Sequence, residues 1–183
     1  MDSEKLVDVG VNLISSFGAR ALSLTSVARQ AGVARATAYR MFGGRDALVA
    51  AIVQRELTLM REKVVEWGAD EPDVGARVHK RVVESLRYIR EHEALQYVLT
   101  HEPEEIVGAL VTARSDTEPS LIEMIVEATL PELEDDEAAA LYPNARAGVE
   151  FMVRTVYSCM LVPQSALSDR EIADLVVRAI VRR

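Results

Sequence analysis

The sequence predicts an all-α fold, with a small N-terminal head on a larger helical body. Three observations carry this. Apolar residues recur at three- and four-residue intervals in segment after segment, the period of an amphipathic helix. No stretch shows the sustained two-residue alternation, flanked by turns, of a half-buried strand. Proline then divides the chain, because all six (Pro72, Pro103, Pro119, Pro131, Pro143, Pro163) lie beyond residue 71 and each marks a helix start or stop. The composition, 49% hydrophobic and 27% charged, is globular.

The elements follow in order. Residues 3–18 put Leu6, Val9, Leu13, Ile14 and Phe17 on one stripe, and Gly18 ends the helix as a left-handed cap. Ser23 caps a second helix, 24–31, by accepting from its free amides; that helix buries Leu24, Val27, Ala28 and Ala31. Gly32-Val33 is a tight turn, with glycine taking the positive φ and Val33 turned into the core. A short third helix over 34–41 stops at Gly43-Gly44. A long helix over 45–66 carries Leu48, Ile52, Val53, Leu59, Met60 and Val64. The body continues with helices near 73–92, 94–101, 104–114, 120–130, 135–142, 145–162 and 168–182. The charged turn Gly68–Asp73 lies inside that body and is not a domain boundary. The expected division is therefore a head of residues 1–45, linked by the 45–66 helix to a body of residues 46–183.

The net charge is −8, which alone argues against a polyanionic partner. Its distribution argues otherwise. Residues 1–45 hold six bases (Lys5, Arg20, Arg29, Arg35, Arg40, Arg45) against three acids (Asp2, Glu4, Asp8). The remaining fifteen bases face twenty-six acids, and within 20–45 there are five arginines and no acid. A basic head on an acidic body suits a chain that meets a polyanion at one end, although a solvated basic face accounts for charge alone equally well. One cysteine, Cys159, forms no internal disulfide, which fits a reducing cytoplasm; it reads as a small buried hydrophobe. No uncharged run approaches the ~18 residues of a membrane span, and the acidic N-terminus is unlike a signal peptide. The expected localisation is cytoplasmic, with no membrane partner.

Two short helices joined by a tight glycine turn can cross steeply, so that the second projects outward. Residues 23–42 have that layout. Ala28 is small where the helices approach, and Val33, Ala38, Met41 and Phe42 can face inward. Arg35, Ala36, Thr37, Tyr39 and Arg40 remain for the outside. Arginine pairs bidentately with guanine edges, and Ala and Thr methyls suit thymine methyls. Hydroxyls and free helix-terminal amides suit phosphates. Phe17-Gly18, Val27-Ala28, Ala31-Gly32-Val33, Thr37, Tyr39, Phe42 and Arg45-Asp46-Ala47-Leu48 together make residues 4–55 resemble the N-terminal domain of TetR-family transcriptional regulators.

The resemblance implies a helix-turn-helix DNA-binding head and a body for effector binding and dimerisation. It implies a homodimer on a double-stranded, (pseudo)palindromic operator, usually repressing until a small molecule releases it. Position by position it implies phosphate contacts from Ser23, Thr37, Tyr39 and Arg45, with Arg35, Ala36 and Arg40 nearest the bases. Three positions depart from the family pattern. Ala34 stands where Ser or Thr caps the recognition helix, a change that costs about 0.5–2 kcal/mol at a helix end. Ala36 stands where glycine is common, and Met41 replaces an aromatic or His.

Such a unit needs a partner, since one short helix reads few base pairs. Val149, Met152, Val153, Val156, Tyr157 and Met160 form one wide stripe, and Ile172, Leu175, Val176, Ala179 and Ile180 another. Two such helices per chain can form a four-helix bundle; plain intrachain core is the ordinary alternative. Trp67, Tyr88, Tyr97, Met124, Phe151 and Met152 are the candidate effector contacts, and few buried charges on those stripes point to a mostly apolar effector. His79, His92 and His101 lack metal-ligand spacing, and no cofactor is expected. An enzyme is not expected either: there is no phosphate-cradling glycine loop, no Gly-x-Ser-x-Gly elbow and no His-Glu-x-x-His, and Glu104-Glu105 and Asp135-Asp136 read as solvated helix starts. A helical module whose basic head grips an acidic protein is the alternative to DNA binding.

Overall fold

A computed structural model describes residues 3–111 and 119–182 of the chain. In order the helices are α1 (Ser3–Phe17), α2 (Leu24–Ala31), α3 (Arg35–Phe42), α4 (Arg45–Glu66), α5 (Val74–Glu91), α6 (Glu93–His101), α7 (Pro103–Val111), α8 (Leu121–Thr129), α9 (Asp135–Ala140), α10 (Ala145–Leu161) and α11 (Asp169–Ile180), with a 3-10 turn at Leu130–Glu132. Among the described residues no sheet forms; Leu141 and Val181 make a lone antiparallel bridge. No described helix is long and apolar enough to cross a membrane. Residues 112–114, at the end of the helix expected over 104–114, lie outside the described residues.

The chain divides into two compact units. The first takes residues 1–59 and 92–108, the second 60–91 and 109–183. The first is thus larger than the expected head of 1–45, because α6 docks on α1 and brings its chain neighbours with it. Leu6, Val7, Leu13 and Ile14 of α1, Leu24, Val27, Ala28 and Ala31 of α2, Ala38 of α3, Leu48 and Ile52 of α4, and Ala94 and Val98 of α6 share one core. Phe17, expected on the α1 stripe, is 63% exposed, because it falls in the last turn, past the reach of that core. Met41 and Val53 are also exposed and not inward-facing. Val33 is half-buried against the core.

His92 ties α4 to α6 within this unit. Its Nδ1 accepts from the Leu95 amide at 3.2 Å, capping α6. Its Nε2 lies 2.8 Å from the Glu56 carboxylate. The hydrogen bond with His92 holds the Glu56 carboxyl below its ordinary 4.5; burial opposes this, and the charges of His92 and Arg55 add to it. A carboxyl depressed by folding stabilises the fold above its unfolded pKa, and that stability is lost as pH falls through the folded value. The difference in urea midpoint between the wild-type chain and Glu56→Gln is expected to be widest near neutral pH and to close as pH falls below 4.5. A difference constant down to about pH 3 would remove the ionised carboxylate from the account.

In the second unit α5 packs against α10 and α11, and α8 against α10. Val78, Val82, Leu86 and Ile89 of α5, Val149, Val153, Val156 and Met160 of α10, and Ile172, Ala173 and Val176 of α11 are buried in its interior. Ser120 and Ser168 cap α8 and α11, each with a reciprocal glutamate three residues on, and Asn144 caps α10. The last turn is tied back: the Tyr142 amide donates to Ile180 O at 2.7 Å and the Arg182 amide to Ala140 O at 2.9 Å.

Candidate nucleic-acid interface

The turn between α2 and α3 is made by Gly32 at φ 70°, a left-handed conformation that costs other residues energy. The Val33 amide then donates to Ala28 O at 2.9 Å, closing α2 and starting the chain toward α3. Ser23 caps α2 as expected, accepting from the Ser26 amide at 3.1 Å, while Ser26 Oγ accepts in return from the Ser23 amide at 3.2 Å. Ser26 is thus a partner that the sequence reading missed, and a phosphate would have to share the Ser23 hydroxyl with this box. Ala34 supplies no side-chain cap to α3.

Of α3 only Ala38 is fully buried, and Phe42 packs on the core from the side. Arg35, Ala36, Tyr39 and Arg40 are exposed as expected, while Thr37 is half-buried. Arg35 Nη2 donates to Tyr39 Oη at 3.4 Å, and its guanidinium sits 5.0 Å from the centre of the Tyr39 ring. This cation–π stack orders an otherwise loose side chain on the outer face of α3.

The basic set is smaller than the sequence suggested. Arg20 pairs with Glu104 and, at 3.6 Å, with Glu105. These acids, read as a solvated helix start, sit on the arginine because α6 and α7 fold back onto the head. Arg45 is partly engaged too: its Nη2 donates to Ala19 O at 2.8 Å, and its Nη1 lies 3.6 Å from Asp46. Arg29, Arg35 and Arg40 carry no ion pair among the described residues, and all three are exposed. Glu102 escaped the sequence reading entirely. Its buried carboxylate accepts from the Ala19 amide at 2.7 Å and from the Arg20 amide at 3.2 Å.

The expected effector contacts are divided between the two units. Trp67 and Tyr88 meet at 6.0 Å between ring centres, with Lys63 5.7 Å over the Tyr88 ring. Tyr97 belongs to the first unit, where it stacks on His101 at 4.3 Å. Met124 and Met152 are half-buried, and Phe151 is exposed. The second unit holds a small, partly open cavity of about 10 Å³, lined by Arg61, Val64, Val65, Arg81, Thr129, Glu132 and Leu133, room for about one water. An open groove of about 460 Å³ beside α5 is lined largely by polar side chains such as His79, Lys80, Glu84 and Arg170.

Buried charge is present after all. Glu137 is 2% exposed, and Arg77 and Arg81 are buried against it. Arg81 bonds one Glu137 oxygen through Nη1 and Trp67 O through Nε, the latter at 3.2 Å. Arg77 reaches the other oxygen at 3.4 Å and Glu71 O at 3.3 Å. Both arginines lie on α5, and nothing in the local sequence marks them as buried.

Most residues assigned to a dimer face are taken up within the chain. Val149, Val153, Val156, Met160, Ile172 and Val176 are buried in the second unit and are not free to meet a partner. The amphipathic stripe marks what is buried without saying by what. Leu175 and Ala179 remain exposed, and Tyr157 is half-buried. Cys159 is partly buried, and burial pushes its thiol upward, away from reactivity. Among the described residues no group of His, Cys, Asp and Glu is arranged to hold a metal.

Residues 6–52 match the family profile described as bacterial regulatory proteins, tetR family. An HTH-type transcriptional regulator of Mycobacterium tuberculosis (strain ATCC 25618 / H37Rv) is 26% identical over 179 residues, covering 96% of this chain and 83% of that protein. Two solved structures share the fold. The TetR-family repressor AlkX from a Dietzia strain, implicated in biodegradation of n-alkanes, superposes with a TM-score of 0.70 at 18% identity, covering 97% of this chain and 92% of that one. The R. erythropolis transcriptional repressor QsdR, from the TetR family, gives 0.62 at 16% identity, with 99% of this chain and 96% of that one covered.

Proposed function

We infer that this chain, which through residues 6–52 belongs to the TetR family of bacterial regulatory proteins, is a one-component transcriptional repressor. It acts as a homodimer on a (pseudo)palindromic operator in the cytoplasm. The observation that carries the reading is the outer face of α3, where Arg35, stacked on Tyr39, and Arg40 stand exposed without an acidic partner among the described residues. Arg35, Ala36 and Arg40 read base edges; Thr37 and Tyr39, with Ser23 and Arg45, take phosphates. Two such helices enter successive major grooves about 34 Å apart. Leu175, Ala179 and Tyr157 belong to the partner surface. A small-molecule effector, held by the second unit through its apolar side chains, favours one conformation and releases the operator by population shift.

Arg40→Ala is expected to weaken a gel shift of the full chain on the duplex upstream of its own coding sequence by about ten- to a hundredfold, the range of one lost base contact. Undiminished binding by the variant would remove Arg40 from the reading face. Binding should also fall steeply with salt, on the order of 0.9 log units per log unit of salt for each phosphate neutralised. A flat dependence points instead to an acidic protein as the partner of the basic head.

A further inference from the structure

One peptide unit of the loop between α1 and α2 is held from both ends. Its N–H, on Arg20, donates to the Glu102 carboxylate at 3.2 Å, and its C=O, on Ala19, accepts from Arg45 Nη2 at 2.8 Å. The same carboxylate takes the Ala19 amide at 2.7 Å. Glu102 is buried at the corner where α6 ends and α7 begins, and its own amide is fixed to Val98 O at 2.8 Å. Gly18 stands against it, and a β-carbon there would collide with the carboxylate. A charged acceptor polarises the peptide it binds, which makes the opposite carbonyl a stronger acceptor. The guanidinium of Arg45 is thereby aimed by a residue it does not touch.

We propose that Glu102 is a positioning residue for DNA binding: through the Ala19–Arg20 peptide it fixes Arg45, so that the remaining guanidinium edge meets a backbone phosphate. The proposal rests on the DNA-binding reading and on Arg45 as a phosphate contact. It gives the α6–α7 corner a direct chemical link to the DNA-contacting surface. A corner that shifts would release the peptide, and with it the arginine.

The test uses the full chain and the same upstream duplex, with Glu102→Gln, Glu102→Ala, Arg45→Ala and the double variant Glu102→Ala/Arg45→Ala. Glu102→Ala is expected to bind about tenfold more weakly, with a log–log salt slope reduced by about 0.9, the value of one phosphate. Arg45→Ala should show the same two changes, and the double variant should be no worse than either single one, since both remove a single contact. Glu102→Gln keeps its volume and one acceptor oxygen, folds with the least disturbance, and should fall between wild type and Glu102→Ala. Hydrogen exchange at the Ala19 and Arg20 amides should quicken in both Glu102 variants. A merely structural glutamate would lower thermal stability and leave the salt slope alone. Wild-type slopes in both Glu102 variants, or losses that multiply in the double variant, overturn the positioning role while leaving DNA binding intact. A wild-type chain that does not shift the duplex overturns both.

Discussion

Replacing Glu137 with alanine is expected to destabilise the chain by about 3–5 kcal/mol, the cost of removing one partner from a buried ion pair. The carboxylate is almost wholly buried and shared by two arginines. They would not suffer equally. Arg77 keeps Glu134 at 3.3 Å and Asp136 at 3.8 Å. Arg81 keeps only the Trp67 carbonyl among its bonds in the described structure. Most of the loss should therefore trace to Arg81, and Arg81→Met in the Glu137→Ala background should recover a large part of it. Urea unfolding of wild type, Glu137→Ala and the double variant measures this directly. Equal stabilities for wild type and Glu137→Ala would mean that water reaches the guanidinium and the cluster is not a closed one.

Gly18→Ala has the second large effect, and two terms add to make it. At φ 86° an L-residue costs about 1–2 kcal/mol. The new methyl group would also displace the Glu102 carboxylate. The part-buried Ala19 and Arg20 amides would lose their acceptor, at a cost below the ~1–3 kcal/mol of a fully buried amide. Gly32→Ala is the internal control: its φ is 70°, but nothing lies within 4 Å of the added carbon, so only the backbone term applies. Gly18→Ala should lower the unfolding free energy by at least twice as much as Gly32→Ala in urea titrations. Equal losses would show that the carboxylate moves aside freely and that its grip on the loop is weak.

The sequence discloses the helices well because their ends are chemical. Gly18, Gly32 and Gly43 allow left-handed or irregular backbone, Ser23, Ser120 and Ser168 cap, and Pro103 starts a helix, and each acts within a few residues of itself. The exposed face of α3 was legible for the same reason, since burying Ala38 fixes where Arg35, Tyr39 and Arg40 must point. What escaped depends on neighbours distant in the chain. Nothing local distinguishes Glu102, which ends up buried, from Glu104, which lies exposed on Arg20. Nothing local distinguishes Asp135 from Glu137 in the acidic run at α9. The α10 and α11 stripes announced burial, and only the folded chain shows that α5 supplies the cover.

Trp67 is the single tryptophan in the chain. Its carbonyl holds Arg81 and its ring leans on Tyr88. Ultraviolet light absorbed only by indole therefore addresses one spot, beside the charge cluster. Emission from that spot tracks melting of the second unit, whereas the first, which has no indole, melts in the dark and must be followed by circular dichroism. Divergence of the two signals on heating would expose stepwise unfolding without any label being attached.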